Sequence, residues 1–367
     1  YLDALLREIA HTGALLKNSG FHIRTLYMGG GTPTTLSSTQ MARLLDAINR
    51  NFDLSRCLEF TVEGGRPDTL DPQKLCVIKD GGATRISINP QTMSDKVLEA
   101  VGRRHTARQT VEAYEQAVQA GFDDINMDLI AGLPFEDYER FQQSFDDIYA
   151  LHPQQLQLGF LKVLKGSYLE EMAQTYGIVY QSCPPYEVLY TKWLSYGDII
   201  RLKRVEEMVE LYYNSNQFTH LIPVLQSRFE NPFAMYDKLA DFYHEKGYFV
   251  HTPARAYRYQ VLLEFAQQED PDGMELYREL AVYDLYLREN AKSRPAFALD
   301  EKPYHDQIVE FYQEEEKNRA YLPGYEEYHA RQLQRMTHLE VFSWPVQKKA
   351  WELISICLLY TSPSPRD

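Results

Sequence analysis

Hydrophobic and polar positions recur along the first half of the chain with two alternating periods. Short apolar or period-two stretches at residues 23–28, 58–63, 84–88, 124–130 and 155–164 predict strands. Between them, residues 37–51, 71–81, 94–101, 107–121 and 135–151 carry helical spacing. Gly20, Gly82 and Gly121 stand where helix C-caps are expected. An amphipathic helix opens the chain, with Leu2, Leu5, Leu6 and Ile9 on one stripe. Strand–helix alternation at this period predicts right-handed βαβ units around a parallel sheet. In such folds the functional groups sit on the loops beyond the C-terminal strand ends.

The pattern changes near Pro184. Residues 190–217 predict one long helical segment, and helical spacing continues to about Ser355. Aromatics crowd this half, as in Tyr212-Tyr213, Phe242-Tyr243 and Tyr257-Arg258-Tyr259; at helical spacing they are expected in a core. The run Glu314-Glu315-Glu316-Lys317 is expected on a solvated helix face. The division expected is 1–165 for the sheet region and 184–355 for a helical domain.

The chemistry is concentrated at the strand ends. The first strand runs into Gly29-Gly30-Gly31-Thr32-Pro33, where bare backbone lets a ligand approach closely. The second ends in Glu63-Gly64-Gly65-Arg66-Pro67, one carboxylate beside flexible backbone. Along the third, alternation puts Arg85, Ser87, Asn89 and Gln91 on one face. The next helix ends at Gly102-Arg103-Arg104-His105, and the fourth strand carries Asp128 before Gly132-Leu133-Pro134. Together Glu63, Gln91, Arg103 and Asp128 suit a zwitterionic ligand with hydroxyls, because arginine clamps a carboxylate and aspartate accepts from sugar hydroxyls.

Composition narrows the classes. With 367 residues and 44% hydrophobic content, two domains with full cores are expected. A net charge of −14 argues against a nucleic-acid surface spread over the protein. The best local basic patch, Arg201-Leu202-Lys203-Arg204, reads as a solvated helix face. No apolar run approaches the roughly 20 residues needed to cross a bilayer, so a cytoplasmic protein is expected. Cys57, Cys76, Cys183 and Cys357 have no short spacing, which supports neither disulfides nor a CxxC metal site; each is expected to be a small buried hydrophobe.

The series of strand ends resembles the radical S-adenosylmethionine (SAM) core, specifically the oxygen-independent coproporphyrinogen oxidase/dehydrogenase family. The match covers roughly residues 1–135. The resemblance implies that Gly29, Gly30, Gly31 and Thr32 meet the methionine amino group of SAM. It further implies that Glu63, Ser87 and Gln91 line the cofactor site, Arg103 meets the methionyl carboxylate and Asp128 holds the ribose. Gly64 departs from the pattern where alanine is expected, a change expected to matter little. The fold implied is a partial (β/α)6 barrel lacking its first strand, followed by a mainly helical domain.

The family's 4Fe–4S cluster requires thiolates in a CxxxCxxC loop, and no such spacing occurs here. The expectation is that the missing strand and cluster loop lie upstream of Tyr1, so that this chain binds SAM weakly and cleaves none. The complete enzyme would reductively cleave SAM to a 5′-deoxyadenosyl radical, fed by a reductase, flavodoxin or ferredoxin, for oxidative decarboxylation of coproporphyrinogen III. A haem-trafficking relative is the alternative, with His105 as the tempting iron ligand and a structural histidine as the blander reading. Beyond Pro134 the chain instead resembles radical enzymes with an N-terminal cobalamin-binding domain, whose substrate is unknown. A join within residues 128–135 is therefore expected, natural or made in assembly. The last residues, 357–367, resemble a translated sequencing adapter.

Overall fold

The computed structural model describes residues 1–17, 19–289, 293–337 and 339–342, together with the backbone of Ile356–Cys357. The expected alternation forms. Helix α1 (Leu2–Leu16) is followed by β1 (Thr25–Met28), α2 (Ser38–Asn51), β2 (Glu59–Gly65), α3 (Pro72–Asp80) and β3 (Arg85–Gln91). Then come α4 (Asp95–Ala100), α5 (Ala107–Gln119), β4 (Asp124–Ala131), α6 (Tyr138–Tyr149) and β5 (Gln155–Phe160). All neighbouring strands pair in parallel, in the order β1-β2-β3-β4-β5. Helix starts are set locally: Ser37 with Gln40 and Thr106 with Gln109 form capping boxes that satisfy first-turn N–H groups.

Side-chain alternation gives the sheet two unlike faces. Phe60, Val62, Ile86, Ile88, Ile125, Met127, Leu129, Leu156 and Leu158 are buried on one, where α5 packs against β3 and α6 against β4. Thr61, Glu63, Arg85, Ser87, Asn126, Asp128 and Gln157 lie on the other. Register aligns them in rows: Thr61 opposes Arg85, which opposes Asp124, and Glu63 opposes Ser87, which opposes Asn126. Arg85 ties the lower row together through Glu59 and Asp124, each at 3.4 Å, and a hydrogen bond to Gln155. Buried parallel sheets are usually apolar on both faces; a polar face here marks a working surface.

Several expectations need correction. The fifth strand stops at Phe160 rather than residue 164, because Leu161–Val163 turn away to bond the 186–188 segment: Val188 N–H donates to Leu161 O at 2.8 Å and Val163 N–H to Tyr186 O at 2.9 Å. A short helix α7 (Tyr168–Tyr176) and a hairpin, β6 (Val179–Tyr180) with β7 (Val188–Tyr190), occupy the stretch before α8 (Tyr196–Val209). The long helix expected from 190 thus starts six residues late, at a Ser195–Asp198 capping box. The basic cluster on α8 is a solvated face only in part: Arg201 is exposed, while Lys203 and Arg204 are half-buried. Lys203 pairs with Glu187 at 2.6 Å and lies over the Phe160 ring, while Arg201 lies over Tyr138. Cys76 and Cys183 are exposed and Cys57 is half-buried, so these thiols are not core hydrophobes.

Compact units divide at Glu210/Leu211. The second unit is mainly helical: α9 (Leu221–Gln226), α10 (Pro232–Glu245), α11 (Arg258–Glu269), α12 (Met274–Arg288), α13 (His305–Asn318) and α14 (Ala330–Met336). Most of its aromatics are core as expected, with Tyr212, Tyr236, Tyr243, Tyr259 and Tyr277 fully buried, but Tyr213 is half-buried and Tyr257 is exposed. Glu315 is the exception in its charge run. It is buried and accepts the Tyr321 and Leu322 N–H groups at 3.0 Å each, as a carboxylate must when removed from water. The adapter-like stretch 357–367 lies outside the described residues, apart from the Cys357 backbone.

Candidate functional site

Two glycine-bearing strand ends, one strand exit and one helix end build a single recess. Its volume is about 400 Å³, and its lining includes Gly30, Gly31, Thr32, Glu63, Gln91 and Arg103. Such a size falls within the usual range for small-molecule sites, roughly 300–1,000 Å³. Six of the nine residues expected at the site therefore share one wall. Gly29, Ser87 and Asp128 do not reach the lining.

Gly29 lies behind it. A Cβ there would stand 2.4 Å from Tyr27 Cε1 and 3.0 Å from Glu63 Oε2, so glycine leaves the space those groups fill. Glu63 in turn accepts the Gly30 N–H at 3.1 Å, fixing the carboxylate against the glycine turn. Ser87 is buried beneath, beside Asn126, whose amide donates to its hydroxyl at 3.5 Å.

The second strand end is shaped by a bulge. Glu63 pairs with Ser87 and Gly65 with Ile88, leaving Gly64 as the extra residue. The alanine expected at 64 would place its Cβ 2.7 Å from the Ser87 carbonyl oxygen, so this backbone requires glycine and the departure does matter. Gly65 follows with φ +65° and has Thr32 Cγ2 2.9 Å from where its Cβ would be. Both its backbone conformation and its neighbour exclude a side chain.

Arg103 is aimed by the end of α4. Gly102 (φ +71°) lets its own N–H bond Glu99 O at 3.1 Å and the Arg103 N–H bond Leu98 O at 2.9 Å, a Schellman closure. The chain reverses, and the Arg103 guanidinium donates to the Asn89 carbonyl at 2.9 Å. Burial lowers its pKa, with the Asp128 charge opposing and Arg66 adding like-charge repulsion.

Asp128 sits under this wall. Burial raises its pKa to about 7, against the opposing pull of Arg103 and of the Gln91 N–H it accepts. Its Oδ1 is sealed from solvent with no hydrogen-bond partner, as is the Asn89 Oδ1. Buried polar atoms left unpaired are costly, and a ligand is one way to satisfy them. Gln91 itself is held at φ +70°, a strained conformation for a non-glycine residue next to the recess.

Sequence reading missed Gly65, Arg66, Asn89, Val101 and Gly102 in the lining. Arg66 was foreshadowed by its place in the second strand end, and Asn89 by alternation with Ser87 and Gln91. Gly102 could have been found as the C-cap that turns Arg103. His105 is sealed instead: its side chain is fully buried, 4.0 Å from Asp68. Burial and the Arg103 charge push its pKa down. It fits the structural reading and offers no face to a haem iron.

The recess therefore opposes a carboxylate (Glu63) and glycine backbone to two guanidiniums (Arg66 and Arg103), with an unpaired carboxyl oxygen below. That polarity matches a ligand carrying an ammonium, a carboxylate and hydroxyls. It does not extend to a cluster: Cys57, Cys76 and Cys183 are free, and no group of three or more His, Cys, Asp or Glu among the described residues could hold a metal ion.

Residues 4–148 match the Radical SAM superfamily, and residues 174–356 match a family described as protein of unknown function (DUF4080). The oxygen-independent coproporphyrinogen-III oxidase-like protein HemZ of Bacillus subtilis (strain 168) is 37% identical over 179 residues, 48% of this chain and 36% of that protein. The heme chaperone HemW of the same organism is 38% identical over 152 residues, 41% of this chain and 39% of its own length. The oxygen-independent coproporphyrinogen III oxidase of Escherichia coli (strain K12) is 32% identical over 156 residues, 42% of this chain and 34% of that enzyme. The chain thus spans 34–39% of the length of these relatives. Proteins of the superfamily use SAM and a 4Fe–4S cluster. The residues present fit the first and do not supply ligands for the second.

Proposed function

Taking residues 4–148 as a radical SAM domain, we propose that the strand-end recess binds SAM and that the protein acts as an oxidoreductase on a small organic substrate. One observation carries the reading: Glu63 and Arg103 stand in a single recess with the Gly30–Gly31 backbone between them and the orphaned Asp128 Oδ1 beneath. When bound, the cofactor supplies one-electron hydrogen-abstraction chemistry to such proteins. This chain's residues do the holding. Glu63 and the glycine backbone receive the methionyl ammonium, Arg103 with Arg66 clamps the carboxylate, and Asp128, beneath the lining, supports Arg103 and the Gln91 backbone from behind.

The substrate class proposed is a porphyrinogen, oxidatively decarboxylated, with a flavodoxin- or ferredoxin-type electron donor in the cytoplasm. Support comes from the coproporphyrinogen oxidase names among the relatives. Among the described residues no helix is long and apolar enough to cross a membrane. A haem-chaperone role is the second reading, favoured by the 38% identity to HemW; it would need an iron ligand other than the sealed His105.

Equilibrium dialysis of the chain with labelled SAM tests the site. The expected outcome is saturable binding without release of 5′-deoxyadenosine. No saturation up to millimolar SAM would overturn the reading. Haem titration separates the two functions: a Soret band that survives His105→Ala supports the chaperone through another ligand, and no band supports the oxidoreductase.

A further inference from the structure

Lys74 is a cation in an unfavourable place. It lies in the first turn of α3, where the positive end of the helix dipole repels an ammonium, and it is only 8% exposed. An unpaired buried ammonium would be expelled to water. This one is held: Nζ donates to Thr34 O at 2.7 Å and to Thr69 O at 2.8 Å, with the Asp71 carboxylate 3.8 Å away.

Those two carbonyls belong to matching turns. Thr34 lies in the 3-10 turn Pro33–Thr35 that follows the first glycine strand end, and Thr69 in the turn Pro67–Thr69 that follows the second. Short 3-10 turns leave carbonyls without intrahelical partners. The ammonium satisfies one from each. Around it the hydroxyls of Thr34 and Thr69 meet at 2.6 Å, and both reach Gly64 O, at 2.5 Å and 3.2 Å. Thr69 also donates to Arg66 O at 2.7 Å. The Gly29–Thr32 turn and the Gly64–Arg66 bulge are thereby fastened to one point behind the recess.

We propose that Lys74 is a positioning residue that holds the two glycine strand ends at the spacing SAM binding requires. It touches no part of the recess and works through Thr34, Thr69 and Gly64. The proposal rests on the SAM reading above for its ligand, but not for its geometry. A purely structural lysine would stabilise the whole unit; a clamp sets the local rigidity of two turns.

Lys74→Met removes the charge and both donated bonds while keeping an unbranched side chain one atom shorter. Amide hydrogen exchange of the full chain should quicken at least tenfold at Thr35, Leu36, Thr69 and Leu70, whose N–H groups close the two turns, with Ile86, Ile88 and Met127 unchanged. SAM affinity by dialysis should fall at least tenfold, and Lys74→Arg, which can still bridge two carbonyls, should recover part of it. Thr69→Val, which cuts only the hydroxyl bridge, should shift the same amides by a smaller factor and serves as the test if Lys74→Met does not fold. Unchanged exchange at these turn amides in the folded variants, or exchange raised equally across β3 and β4, overturns the clamp. Wild-type protein that shows the protected turns yet binds no SAM overturns the ligand reading alone.

Discussion

The two faces of one sheet follow opposite rules. On the helix-covered face, Val62, Ile86, Ile88, Met127 and Leu129 are each sealed completely, and their role is to keep water out. On the other, Glu63, Arg85, Ser87 and Asn126 sit in registered rows, and the Asn126 Oδ1 and the neighbouring Asp128 Oδ1 are buried without hydrogen-bond partners. Burial on the first face stabilises; unsatisfied polarity on the second does not. The same strands therefore carry stability and function on alternate residues.

The contrast predicts unequal costs for adjacent substitutions. Ile86→Ala should show the largest loss of stability, about 2–5 kcal/mol by urea denaturation, because the fully buried site cannot collapse around the missing atoms. A loss of similar size from a polar-face variant would end the distinction.

A pH effect comes next. Glu136 is fully buried, hydrogen-bonded by Thr92 at 2.6 Å, and burial raises its pKa to about 8; Asp128 is raised to about 7. Both stay protonated in the fold at pH values where the unfolded chain has released the proton. Their favourable contribution is complete below the ordinary carboxylate range and disappears as pH rises through about 7 to 8. Stability should accordingly decline from pH 4.5 to pH 8, and Glu136→Gln should flatten that slope in thermal melts. An unaltered slope would show that Glu136 is ionised in the fold.

Arg103→Met should then lower SAM affinity about 10- to 100-fold, the scale of a lost charge-assisted clamp, with thermal stability nearly unchanged. A large drop in melting temperature would instead make Arg103 structural. The smallest effect belongs to Ser87→Ala. Among the described residues its hydroxyl meets only the long 3.5 Å approach of the Asn126 amide, so less than about 1 kcal/mol should be lost despite its burial. Together with Ile86→Ala, this compares neighbouring residues on opposite faces.

Much of this site was legible before any coordinates. Gly30, Gly31, Glu63, Gln91 and Arg103 were assigned from their places at strand or helix ends, and all meet in the recess. Gly64 was misjudged, because a steric conflict with the Ser87 carbonyl belongs to a neighbouring strand. Lys74 gave no signal at all: in sequence it is a charge on a helix, and only the meeting of two distant turns makes it a clamp.

Periodicity by itself determined the order of strands and helices and the parallel sheet, because 2-residue and 3.6-residue repeats are local properties of the chain. It also placed the polar motifs at strand ends. Which of them share a wall was decided by tertiary structure. The bulge at Gly64, the reversal at Gly102 and the pairing of β2 with β3 and β3 with β4 rotate side chains into or away from the recess. Those rotations depend on hydrogen bonds between residues far apart in sequence, which no local pattern encodes.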